Sequence, residues 1–196
     1  SKPMNPPDPR VLRSRETVRV AALELLEERG YAGFSIDAVS KRCGVARSTI
    51  YRHWESGAKL ALDALTSIEE TAVPASSGDL EADLRSMLRN LATKLASPYG
   101  RLLPTLIDAA HRDPEFAALQ RSFAERRRSE ALQQCGVSLA ASGLPPEVDL
   151  VVLADQLAGA LYLRHLVSLQ PIDEEFLDAL VQNVLSLIDQ SRSGPN

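Results

Sequence analysis

The chain has 196 residues, 44% hydrophobic and 24% charged, enough length and apolar content for the core of one soluble domain or of a small domain beside a larger one. Its net charge of −4 argues against a nucleic-acid partner until it is divided: residues 1–60 carry 11 Lys and Arg against 7 Asp and Glu, and the remainder 11 against 19. A basic front on an acidic body draws phosphate to one end alone. Two cysteines without metal-ligand spacing, and an N-terminus without an apolar leader, read as a reduced, cytoplasmic protein with no secretory signal and no structural metal.

In chain order, residues 1–9 hold four prolines and predict no regular structure. Arg10, Arg13, Arg15 and Arg19 lead into a first helix that runs to about Arg29 with Val18, Ala21, Ala22, Leu25 and Leu26 on one face. These arginines either solvate the helix start or form an arm that reaches DNA. Gly30 ends the helix, and Tyr31 and Phe34 pack the turn. Ser35 is a good N-cap for a short second helix whose apolar face is Ile36, Val39 and Cys43. Gly44 stands where a helix closes in the left-handed conformation. Val45 and Ile50 anchor the next helix, leaving Arg47, Ser48, Thr49, Arg52 and His53 outward. Two turns of helix with an exposed side made of donors suit the major groove, and the pattern is that of a helix-turn-helix with the second helix reading. Ser56-Gly57 opens a fourth helix with Leu60, Leu62, Leu65 and Ile68, and the Pro-, Ser- and Gly-containing segment 71–79 marks a linker.

The remainder predicts helices throughout, with no alternating strand pattern. Leu80–Ala96 carries Leu84, Met87, Leu88, Leu91 and Leu95 at helical spacing; Ser97-Pro98-Tyr99-Gly100 breaks it; 101–112 forms a short helix containing Pro104, which is tolerated in a first turn and kinks a helix otherwise; and a helix starting at Asp113-Pro114-Glu115 runs to about Ala141. Two further helices, roughly Val148–Leu169 and Ile172–Ser191, flank Pro171. Both are apolar on more than one side, Gly159 and Ala160 permit close approach, and they are expected to meet their counterparts in a homodimer. Asp155, Arg164 and His165 make Leu150–Leu169 too polar for a membrane span. His53, His111 and His165 form no paired metal motif, and no nucleophile elbow or phosphate-binding glycine loop is present, so no catalytic residue, metal or cofactor is assigned. Cys43 reads as a small hydrophobe on its helix, and Cys135 as slightly more open.

Ser35-Ile36-Asp37-Ala38-Val39, then Cys43-Gly44-Val45, then Ser48-Thr49-Ile50-Tyr51-Arg52-His53-Trp54, resembles the DNA-binding signature of TetR-family transcriptional regulators. The resemblance covers about the first third of the chain. It implies an all-α fold, with a three-helix helix-turn-helix domain (10–70), a linker (71–79) and a helical ligand-binding and dimerisation domain (80–192). It also implies a ligand-responsive regulator, most often a repressor, in which Tyr51 and His53 hold the DNA backbone with help from Ser35 and Lys59, while Arg47, Ser48, Thr49 and Arg52 reach bases and nearby phosphates. The family's phosphate-contacting lysine is replaced by Gly57, so either Lys59 takes over or that contact is weaker. The implied body encloses a small-molecule pocket. Met87, Leu91, Ile107, Phe123 and Leu161 are its expected apolar lining, with His111, Gln156, Tyr162 and His165 as polar contacts.

Overall fold

The computed structural model describes residues 9–67 and 75–192; the expectations for residues 1–8, for Ile68 and for the first part of the linker lie outside them. All regular structure among the described residues is helical: α1 (Pro9–Arg29), a 3₁₀ turn (Tyr31–Gly33), α2 (Ile36–Cys43), α3 (Arg47–His53), α4 (Gly57–Thr66), α5 (Leu80–Ala96), α6 (Pro98–Arg112), α7 (Pro114–Gln134), α8 (Gly136–Ala141), α9 (Leu150–Leu163) continued by a π-helical turn (Arg164–Ser168), and α10 (Glu174–Arg192). They form two compact units, 9–67 with 102–122 and 75–101 with 123–192. The first unit thus takes in most of α6 and the start of α7, although the sequence assigns 80–192 to one body.

In the first unit α1 packs on α2 and α4 through Val18, Ala21, Ala22, Leu25 and Leu26, all buried. Leu102, Leu103, Leu106, Ala109 and Phe116 are buried as well, and the Phe116 ring packs on Tyr31 at 5.2 Å between centroids. Two polar joints set its geometry. Asp63 Oδ2 accepts from Arg19 Nε at 2.8 Å and from Trp54 Nε1 at 2.7 Å, so one carboxylate ties α1, the end of α3 and α4 together. Arg15 lies over the Trp54 ring at 5.7 Å. At the second joint Tyr31 donates its hydroxyl to Asp113 Oδ2 at 2.5 Å, while the same side chain caps α7 by accepting from the Glu115 and Phe116 amides at 2.9 and 3.3 Å. The Tyr31 hydrogen bond, more than the opposing burial, holds the Asp113 carboxyl below its ordinary range.

In the second unit α5 packs against α8, α9 and α10 around Leu84, Leu88, Leu95, Leu157, Leu161, Leu177, Val181 and Val184. Asp83, buried in this core, accepts from Ser76 Oγ (2.5 Å), Ser77 N (2.8 Å), Ser77 Oγ (2.6 Å) and Ser138 Oγ (2.7 Å), which pins the segment before α5 and the short α8 to one carboxylate. Burial opposes its charge, but these hydrogen bonds outweigh burial and keep its pKa well below the usual carboxylate value. A depressed folded pKa contributes stability that is complete above the unfolded value, about 4, and is lost as pH falls through the folded value. Asp83→Asn should therefore lower stability by about 2 kcal/mol near neutral pH, and the gap to the parent should narrow in acid. Urea unfolding at pH 7 and in stepwise acid measures both.

Several boundaries differ from the sequence expectation. Pro98-Tyr99-Gly100 is the first turn of α6 rather than a break, so Pro104 lies inside a 15-residue helix. Proline cannot donate to the carbonyl four residues back, which here is that of Gly100. His165 Nε2 lies 2.9 Å from that carbonyl oxygen; a carbonyl only accepts, so Nε2 carries the proton and satisfies it. The helix after Asp113 stops at Gln134, because Cys135 takes φ −95°, ψ 4°, and restarts as α8. Cys135 is buried rather than open, and burial together with the Asp83 charge pushes its thiol up to about 11, so it stays protonated; Cys43 is half-buried.

Candidate nucleic-acid interface

The reading head is assembled by local caps. Ser35 Oγ accepts from the Ala38 amide at 3.1 Å and fixes the start of α2. Gly44, at φ 72°, closes that helix in the left-handed region, its amide donating to Ser40 O at 2.9 Å. Ser40 Oγ then donates to Val45 O at 2.7 Å and holds the turn. Arg42 forks onto Glu28 at 2.7 and 2.6 Å, bracing α2 against α1. This hydrogen-bonded pair lowers the pKa of Glu28 and raises that of Arg42.

Ile50 is wholly buried and roots α3 in the core, which turns the opposite side of the helix outward. Arg47, Ser48, Tyr51 and Arg52 are exposed, while Thr49 and His53 are half-buried. Tyr51, 53% exposed, is a large aromatic left open on an otherwise polar face. The His53 ring stands edge-on to buried Trp54 at 5.7 Å between centroids, which orients its polar edge. Among the described residues no carboxylate pairs with Arg52, whereas Arg47 Nη1 donates to Asp37 Oδ1 at 2.9 Å.

The neighbouring start of α4 differs in character. Ser56 Oγ accepts from the Lys59 amide at 3.2 Å as its N-cap and donates to Glu115 Oε1 at 2.6 Å. Lys59, which the sequence offers as one replacement for the lysine absent at Gly57, has its Nζ on Glu55 one turn earlier. The residues assigned to DNA by the sequence thus cluster around α3 and the flanking helix starts. Asp37 and Asp63 were missed as partners of the head. Their bonds join residues 10 and 44 apart in sequence, which periodicity does not reveal.

The expected pocket residues are not brought together in the same way. Ile107 and His111 lie in the first unit and are exposed, with His111 Nδ1 near the carbonyl of Ile107 on its own helix. Gln156 is exposed on α9. Leu161 is a fully buried core residue and His165 is committed to Gly100. Met87, Leu91, Phe123 and Tyr162 remain half-buried in the second unit.

On α9 the positions Val152, Gln156, Gly159 and Leu163, spaced i, i+4, i+7 and i+11, form an exposed stripe that Val167 extends. A methyl group placed on Gly159 would meet nothing within 4 Å. Leu150, Val151 and Leu169 are exposed as well. By length and mean hydropathy alone Leu150–Ser168 suffices for a bilayer span. Its Asp155, however, pairs with Arg128 at 2.9 Å, and its His165 bonds the Gly100 carbonyl, both within the same unit.

Comparison with known proteins covers nearly the whole chain. Residues 18–64 match the family described as "Bacterial regulatory proteins, tetR family", and residues 74–184 match "Tetracyclin repressor-like, C-terminal domain". A relative in Mycobacteroides abscessus named "DNA-binding transcriptional repressor TetR" is 31% identical over 173 residues, covering 85% of this chain and 89% of its own. An uncharacterised HTH-type transcriptional regulator of Bacillus subtilis, YdeS, is 27% identical over 177 residues and covers 89% of both chains. The crystal structure of the TetR family transcription regulator SCO0332 superposes with a TM-score of 0.68 at 36% identity, over 88% of this chain and 97% of that one. A flavonoid-responsive regulator, FrrA, shares the fold with a TM-score of 0.69 at 24% identity, over 91% and 96%.

Proposed function

The chain belongs to the TetR family of DNA-binding transcriptional regulators, and from that premise we propose that it is a cytoplasmic, homodimeric repressor released from an approximately palindromic operator by a small molecule. The observation that carries this reading is the outward side of α3, where Arg47, Ser48, Tyr51 and Arg52 are exposed above the buried Ile50. Arg47, Ser48, Thr49 and Arg52 approach base edges and nearby phosphates, while Tyr51 and His53 grip the backbone. Ser35 assists from the start of α2. Lys59 assists from the start of α4 after exchanging Glu55 for a phosphate.

Two copies join through α9 and α10, so that two heads face successive turns of one duplex. The exposed α9 stripe and the open space over Gly159 support this pairing. The effector occupies the second unit near Met87, Leu91, Phe123 and Tyr162. It acts by binding the released state more tightly than the operator-bound state, since equal affinity for both would shift nothing. Relatives of this chain are regulators rather than enzymes, and no chemistry is assigned to it.

Replacement of Arg47 tests the recognition step. Arg47→Ala should cost about 1–3 kcal/mol of discrimination at one base pair per half-site if the guanidinium reads a guanine. Binding to the selected duplex and to its single-base-pair variants measures this. Uniform weakening across all sequences would assign Arg47 to phosphate instead.

A further inference from the structure

We propose that Asp37 sets the base preference of the reading head by fixing the guanidinium of Arg47. The pair spans the turn between α2 and α3, with Asp37 Oδ1 accepting from Arg47 Nη1 at 2.9 Å. Its side chains are 58% and 64% exposed, so as a surface ion pair it adds little to stability. The first turn of α2 favours an acid through the helix dipole, but the dipole gives no reason for the carboxylate to reach the first residue of α3.

On a face that meets phosphate, a carboxylate opposes binding by repulsion. What it supplies in return is orientation. With Nη1 held, the Nε–Nη2 edge of Arg47 remains as a two-donor fork, the shape that matches O6 and N7 of guanine. Arginine loses little freedom per bond when its planar fork is already placed. The ion pair also strengthens once the groove displaces water around it. Asp37 is thus a positioning residue that acts through Arg47, and it penalises sequences on which Arg47 finds no guanine, because the held guanidinium is not free to swing to a phosphate instead.

The inference rests on α3 reading base edges, and one set of variants separates the two claims. The full chain is used to enrich sites from a random duplex library. Affinities for the enriched duplex, its single-base-pair variants and an unselected duplex are then compared for the parent, Asp37→Asn, Asp37→Glu, Arg47→Ala and the Asp37→Asn/Arg47→Ala double variant. Arg47→Ala is expected to lose about tenfold or more in preference at one base pair. Asp37→Asn should lose most of the preference at that same pair, yet bind the unselected duplex more tightly because a negative charge is gone. Asp37→Glu should keep part of the preference, and Asp37→Asn should change no preference in the Arg47→Ala background. A positional loss in Arg47→Ala with full preference kept by Asp37→Asn overturns the role of Asp37 alone. So does a loss at a different base pair, or a further loss of preference when Asp37→Asn is added to Arg47→Ala. A uniform loss in Arg47→Ala overturns base reading by Arg47 and the role of Asp37 with it.

Discussion

Glutamates placed at Val152 and Leu163 yield a monomer that binds the operator about 10²–10⁴-fold more weakly than the parent. The loss of affinity follows from linkage rather than from any change in the reading head. When two heads are tied together, the second half-site is engaged at a high effective concentration, and separating the subunits removes that gain. The two positions lie on one side of α9, 50% and 56% exposed in the chain, so charge there meets water in the monomer and a partner helix only in the dimer. Stability of the isolated fold should change by no more than about 0.5 kcal/mol, as for other surface substitutions. Light scattering at micromolar concentration reads the oligomeric state, and fluorescence anisotropy with the enriched duplex reads binding. A dimer that survives both glutamates would move the interface elsewhere.

The second large effect is on folding. A Cβ added to Gly100 would stand 1.8 Å from the Leu95 carbonyl oxygen and 2.6 Å from its carbon, both backbone atoms that no rotamer change can clear. The α5–α6 corner must open, and the His165 hydrogen bond to the Gly100 carbonyl opens with it. Gly100→Ala is expected to cost about 3 kcal/mol, the upper range for overpacking, which for a chain of this size lowers Tm by roughly 6–12 °C. Gly136→Ala is the matched control, since a Cβ there meets nothing within 4 Å. A melting curve for Gly100→Ala that coincides with the parent would show that the corner is looser than the packing indicates.

The head was more legible in the sequence than the body, for a physical reason. Its helix ends are set by neighbours within three or four residues: Ser35 by the Ala38 amide, Gly44 by the Ser40 carbonyl, Ser56 by the Lys59 amide. Such contacts leave a mark in local sequence. Pro104 was misplaced because its tolerance depends on His165, 61 positions later, relieving the carbonyl that proline leaves unpaired. The stop at Cys135 has Gly136 beside it, but that glycine opens α8 instead of closing α7 in the left-handed region, so it does not read as a helix end. The apolar faces of α6 and α9 were visible as periodicity, but periodicity does not say which unit a face turns toward. Ile107 and His111 were therefore grouped with residues of another unit, and Gln156, which lies on the exposed stripe of α9, was grouped with them. Partners such as Asp37 for Arg47 and Asp63 for Trp54 arise only once the helices are folded together.

Enrichment of duplexes from a random library by the full chain, followed by footprinting of the winning site, tests whether paired α3 helices read one operator. Inverted half-sites are expected, with centres roughly one helical turn apart or slightly more, protected by one dimer, with protection lost when Arg47 and Arg52 are both replaced by alanine. Recovery of no preferred sequence, or of a lone half-site held by a monomer, would contradict that reading.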